Sequence, residues 1–175
     1  MELTATKETI TNKSAIKIKK RDGRLEDLDI DKIHFVVEEA CEGLAGVSSS
    51  QIEINANIQF YDGMTTKEVQ QILVRSANDL ISLEAPNYQY AAARLLSYDV
   101  RKEAHGQYEY MPLLKLILRN IKAGVYDRNI VEKYNKSEIK RLNTWIKRDR
   151  DLDFTYAGLR QVVDKYLVQD RSSGD

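Results

Sequence analysis

The chain has 175 residues, and 27 Lys+Arg balance 27 Asp+Glu to a formal net charge of zero, with two histidines and one cysteine. That length fits one domain, or one plus part of another, and the even balance excludes a generic polyanion binder. One cysteine excludes a disulfide framework or a CxxC zinc site, and no apolar run nears the roughly 18 residues of a membrane span. The start, Met1-Glu2-Leu3-Thr4, has no basic, apolar leader, so the expectation is a soluble, cytoplasmic protein that binds neither membrane nor nucleic acid.

Residues 1–15 lack an apolar period and read as a mobile tail. Ile16 to Lys19 alternate apolar and basic residues as a strand does. Asp22-Gly23 then predicts a type I′ hairpin turn, and Arg24 to Ile30 a returning strand. The alternation slips at Asp27-Leu28, which predicts a bulge or an early strand end. A helix capped by Asp31 follows, with Ile33, Val36, Val37, Ala40, Cys41 and Leu44 on its apolar face and Gly46 closing it.

Residues 48–60 fit a strand or a short helix equally. Thr65-Thr66-Lys67-Glu68 reads as a capping box, opening a helix with Val69, Ile72, Leu73, Ala77, Leu80 and Ile81 inward. Pro86 ends that pattern and starts the next helix, which runs to Gly106. Beyond it the spacing predicts a helix over 108–123, a charge-rich helical stretch over 126–149 with Ile139, Leu142 and Ile146 aligned, and a last segment over 154–168. A domain boundary is expected near residue 107, giving units of 16–107 and 108–175.

Neither GxxxxGK[ST] nor GxGxxG occurs, so P-loop and Rossmann phosphate sites are excluded. No HExxH occurs, and His34 and His105 are far apart, so no metal set is expected; nor is any catalytic residue. Cys41 sits on an apolar stripe and reads as core. His34 reads as a solvated or capping residue. Asp149, Asp151 and Asp153 alternate with Arg148 and Arg150 and read as a solvated face. One concentration stands out: Lys17, Lys19, Lys20 and Arg21 share a short hairpin, with Lys32 just beyond. Lysines commonly protect edge strands. The same groups beside a helix N-terminus also suit a polyphosphate. Composition leaves both readings open.

Lys20-Arg21-Asp22-Gly23, followed by Asp31-Lys32-Ile33, resembles the start of an ATP-cone. The resemblance continues through Phe60-Tyr61-Asp62-Gly63-Met64-Thr65-Thr66 and Ala85-Pro86-Asn87-Tyr88-Gln89-Tyr90. It extends through His105-Gly106-Gln107-Tyr108-Glu109, Gly124-Val125-Tyr126-Asp127 and the Asp149–Tyr156 stretch. As an ordered series over about residues 16–173, these motifs resemble the N-terminus of the large (alpha) subunit of class I ribonucleotide reductase. The cone also occurs in a bacterial repressor of reductase genes, but that family places ahead of it a zinc ribbon that one cysteine cannot supply.

The resemblance implies a mainly α fold, a helical bundle capped by a small β-hairpin or sheet, followed by a helical segment of an incomplete second domain. It implies ATP or dATP as an allosteric effector, with Mg, and an enzyme that makes deoxyribonucleotides for DNA synthesis. Carried over by motif, Lys20 and Arg21 hold phosphates. Glu26, Asp27, Leu28, Asp29, Ile30, Asp31 and Lys32 wrap the nucleotide, with Glu26 and Asp29 toward base and sugar and Lys32 toward phosphate. Thr66, Lys102 and Ile18 complete the pocket. Gln70 departs from the pattern, standing where dATP-inhibited relatives carry His.

The family's catalytic cysteines lie in a later barrel that has no counterpart in these residues, so the chain alone is expected to be inactive. The implied partners are the remainder of the large subunit, a radical-generating small (beta) subunit and further copies in a homo-oligomer. The alternative reading is a partner-binding helical module, one half of a split subunit, whose cone has weakened nucleotide binding.

Overall fold

The computed structural model describes residues 16–167. The expected tail over 1–15 and the residues after 167 lie outside them. In chain order come β1 (Lys17–Lys19), β2 (Leu25–Asp27), α1 (Ile30–Cys41), α2 (Ser49–Asn57), β3 (Met64–Thr65), α3 (Thr66–Asn78) and α4 (Tyr88–His105). Then follow α5 (Leu113–Lys122), α6 (Asn129–Lys133), α7 (Lys136–Asn143), a 3₁₀ turn (Arg148–Asp153) and α8 (Tyr156–Lys165). The fold is mainly α with one small sheet, as the resemblance implied.

The hairpin forms, but not through the expected turn. Asp22 does not have positive φ; only Gly23 does, at +86°, while Gly23 N–H donates to Lys20 O at 2.9 Å. A type I′ turn needs both central residues left-handed, so the loop instead spans Lys20 to Arg24. β2 stops at Asp27, where the alternation slips, as expected. β3 escaped the sequence reading. It runs parallel to β1, pairing Ile18 with Met64, and makes the sheet three-stranded in the order β2-β1-β3.

The N-cap of α1 is Asp29, not Asp31, because the Asp29 side chain accepts from Lys32 N–H while Asp31 sits within the first turn. The helix also ends at Cys41, five residues before Gly46. Its last carbonyls are met by Arg94, whose Nη1 donates to Ala40 O at 3.2 Å and Glu42 O at 2.7 Å. Residues 49–57 resolve to a helix, capped by Ser48. The Thr65–Glu68 capping box is present as expected. Its helix stops at Asn78, well before Pro86; Leu80 still packs against the core as expected, while Ile81 is exposed. Gly106, left-handed at φ +70°, ends α4 as expected.

α4 is the hub. Ala91, Ala92 and Ala93 are fully buried on it, and their small side chains let α1 and α3 approach closely. Val37, Ile52, Met64, Leu73 and Leu95 fill the remaining space. Beyond Gly106 the expected helix over 108–123 begins only at Leu113, after Pro112. Over 126–149 only Ile139 is buried; Leu142, inside α7, is exposed, and so is Ile146, which lies past the helix end at Asn143. α8 turns back onto α4 and contributes Leu159 to the core. The aspartates of the 3₁₀ turn are not all idle on a solvated face, since Asp151 accepts the Tyr110 hydroxyl.

Cys41 is half buried against the core, and burial pushes its thiol up to about 11, so it is no thiolate at neutral pH. His34 is solvent-facing as expected. Its Nδ1 lies 2.9 Å from Glu53 Oε1 and its Nε2 3.3 Å from Glu38 Oε1, and these carboxylates, Glu53 first, hold the imidazole above its ordinary range.

Candidate functional site

Where the sheet meets α1, α3 and the end of α4, the chain encloses a cavity of about 320 Å³. Ile18 from β1, Lys20 from the hairpin loop and Glu26 and Asp27 from β2 form one side. Leu28, Asp29 and Lys32 come from the start of α1, Thr66 and Gln70 from α3, and Lys102 from the last turn of α4. Ten positions carried over from the resemblance therefore line one cavity. Arg21, Ile30 and Asp31 do not line it, and all three are exposed.

The architecture explains the convergence. The hairpin is short and its loop turns at Gly23, so Lys20 is held at the rim. Asp29 caps α1 by accepting from Lys32 N–H at 3.1 Å, which fixes the direction in which that helix leaves the sheet. The Thr65 cap does the same for α3: Glu68 N–H donates to Thr65 Oγ1 at 3.1 Å, and Glu68 Oε2 accepts Thr65 N–H at 2.6 Å. Two helix N-termini thus open at the cavity, each with exposed positive dipole character.

Three ammonium groups and three carboxylates share this wall. Lys20 Nζ is 3.2 Å from Glu26 Oε2, and Lys32 Nζ is 2.9 Å from Asp29 Oδ2. Lys32, through its side chain first and then its backbone, holds the Asp29 carboxyl below the usual range, and Asp29 raises Lys32 in return. Lys102 differs. Burial first, then the Arg21 and Lys20 cations, pull its ammonium below the ordinary lysine range. Asp99 opposes that shift only in part, because burial and Glu103 hold its own carboxyl up. Arg21 stands behind Lys102, donating from Nη1 to the Lys102 carbonyl at 3.4 Å.

Gln70 lines the cavity with its amide nitrogen already engaged, donating to Leu95 O at 2.9 Å. Sequence reasoning missed Ile33, Phe35, Val36, Val69, Leu73 and Tyr108 as lining residues. Apolar periodicity marks most of them, but it does not separate a position that packs from one that opens on a void. Tyr108 was quoted only within a motif; its hydroxyl donates to Glu39 and its ring lies 5.1 Å from that of Tyr98.

A cavity with apolar walls and clustered ammonium groups at one end suits an amphiphilic anion, one part flat and apolar, the other polyanionic. Among the described residues, no His, Cys, Asp and Glu group has metal-holding geometry, and no helix is long and apolar enough to cross a membrane.

The ATP cone domain family matches residues 16–103. The chain is 44% identical over 158 residues to ribonucleoside-diphosphate reductase 1 subunit alpha of Escherichia coli (strain K12), covering 90% of this chain and 21% of that protein. It is 39% identical over 164 residues to the subunit alpha of Haemophilus influenzae, covering 94% of this chain and 22% of the relative. With the subunit alpha of Enterobacteria phage T4 the identity is 40% over 161 residues, covering 91% and 21%. The chain spans about a fifth of the length of these curated relatives.

Proposed function

The chain belongs to the ATP cone domain family, and from that membership we propose that its cavity is an effector site for an adenine nucleoside triphosphate, ATP or dATP. The single observation that carries this is the meeting of Lys20, Lys32 and Lys102 at one cavity, over walls of Ile18, Ile33, Val36 and Leu73. The three ammonium groups take the phosphates. Lys102 carries the most specific part, since its cost of burial among other cations is relieved when a polyanion arrives. Glu26 and Asp29, paired with Lys20 and Lys32 in the free chain, repel phosphate, so on binding those pairs open and the carboxylates turn to the polar edge of the base and the sugar hydroxyls. Mg²⁺ enters with the nucleotide, bound to its phosphates. Arg21 acts from behind, by holding the carbonyl of Lys102.

In this reading the chain is the regulatory region of a ribonucleoside-diphosphate reductase large subunit, a cytoplasmic enzyme supplying deoxyribonucleotides for DNA synthesis. Its partners are the rest of that subunit, further copies of it, and a radical-generating small subunit. Nucleotide binding biases how these associate, and a coupling of ~1–3 kcal/mol is the usual scale for such linkage. The effector acts only if it binds the competing assemblies unequally. The arrangement of residues 16–107 as sensor and 108–175 as the opening of the next domain belongs to the same proposal.

Thermal unfolding of the whole chain with and without nucleotide tests the reading. At about 100 times Kd, ATP adds roughly 2.7 kcal/mol of stability. Absence of any shift with either ATP or dATP up to millimolar concentration rejects the site and leaves the partner-binding module in its place.

A further inference from the structure

Phe35 is an aromatic residue on the rim of the cavity, and it is 62% exposed. It lies three residues beyond Lys32 on α1, which is about 4.5 Å further along the helix axis. On its other side a shallow depression is lined by Glu38, Glu39 and Glu42. Phe35 thus borders both the cavity and that depression. Its position sorts the possible occupants. Phosphates gather at Lys20, Lys32 and Lys102 and are repelled from the glutamates, so the part of a nucleotide that reaches Phe35 is the uncharged end. That end is a planar aromatic base.

We propose that Phe35 is a base-stacking residue of this site: the nucleobase lies against its ring, and Phe35 supplies base affinity while the lysines supply phosphate affinity. The proposal rests on the nucleotide reading above. Stacking on a ring accepts any base face, so Phe35 sets how tightly a base is held and not which base is chosen. Selection falls to polar groups such as Glu26 and Asp29. Phe35 was not among the positions carried over by resemblance, and its neighbours Ile33 and Val36 account for the helix's packing without it.

The experiment compares ATP, GTP and inorganic tripolyphosphate by calorimetric titration of the full chain, in wild type, Phe35→Ala and Phe35→Tyr. Loss of one base stack weakens binding by about tenfold. Phe35→Ala is expected to weaken ATP and GTP by that factor, leave tripolyphosphate within twofold, and lose nothing in far-UV helicity; Phe35→Tyr restores nucleotide affinity. Wild-type binding of ATP with equal affinity in Phe35→Ala overturns the stacking role and leaves the effector site standing. A parallel loss of tripolyphosphate affinity overturns it too, since the change then acts on the site as a whole. If wild type binds none of the three, the effector site itself falls, and Phe35 with it.

Discussion

Replacing Lys102 by methionine keeps most of the aliphatic stem and removes the charge, which separates ligand binding from fold stability. In the unliganded chain the ammonium has Arg21 and Lys20 beside it, and both partial desolvation and those cations disfavour its charged form. Removing the charge relieves that opposition, so the melting temperature of the free protein does not fall. The bound state behaves in the reverse way. A charge-assisted hydrogen bond to a phosphate contributes about 2 kcal/mol, close to a 30-fold change in Kd. At an ATP concentration of 100 times the wild-type Kd, stabilisation then drops from about 2.7 to about 0.9 kcal/mol. For a chain of this length each kcal/mol moves the midpoint by roughly 2–4 °C, so the ATP shift shrinks from about 5–10 °C to about 2–4 °C. Differential scanning fluorimetry reads both midpoints. An undiminished ATP shift in Lys102→Met refutes the assignment of Lys102 to phosphate, and a lower free midpoint refutes the electrostatic argument.

The same lysine predicts a proton linkage. Its pKa is lowered in the free fold and rises when a polyanion binds, so binding takes up protons in the alkaline window between the two values, and affinity declines as pH rises through the free-state value. Calorimetry over a series of alkaline pH values in two buffers of different ionisation enthalpy detects this uptake, and Lys102→Met is expected to abolish it. Thr65→Ala removes the α3 cap and is expected to cost about 1 kcal/mol in thermal unfolding followed by circular dichroism, since Glu68 N–H loses its acceptor. Gly23→Ala costs about 1–2 kcal/mol at φ +86°, purely from backbone strain, because a Cβ there meets nothing within 4 Å. Leu159→Ala is expected to lower the midpoint of the whole chain by about 2–4 kcal/mol equivalent in a single transition, because that side chain closes the same core as α4.

The helices that carry their own punctuation were readable from residues alone. α3 announces itself through the Thr65–Glu68 pair, and α4 ends at a glycine whose left-handed backbone cannot continue a helix. The start of α1 misled because Asp29 and Asp31 are equally good caps on paper. The choice depends on how the strand before it ends, and Asp29 takes the role once Leu28 N–H is still pairing with Ile16 O. β3 left no local trace, since two residues joined to β1 by a parallel ladder have no periodicity to show. The charged half of the cavity was legible only in part: Lys20 and Lys32 stand out as basic residues on and just beyond the hairpin, whereas Lys17, Lys19 and Arg21 of the same cluster do not line the cavity and Lys102 was named only through the resemblance. The apolar half was not legible. Val36 and Val69 look like packing positions in sequence, and only the three-dimensional gap between α1, α3 and the sheet turns them toward the cavity.

Calorimetric titration of the intact chain with ATP near neutral pH is the most direct measurement of the effector site. Saturable binding, lost or strongly weakened when Lys20, Lys32 and Lys102 are neutralised together while helicity persists, is the expected result. Heats indistinguishable from dilution up to millimolar ATP, or binding unaffected by the triple replacement, contradict it.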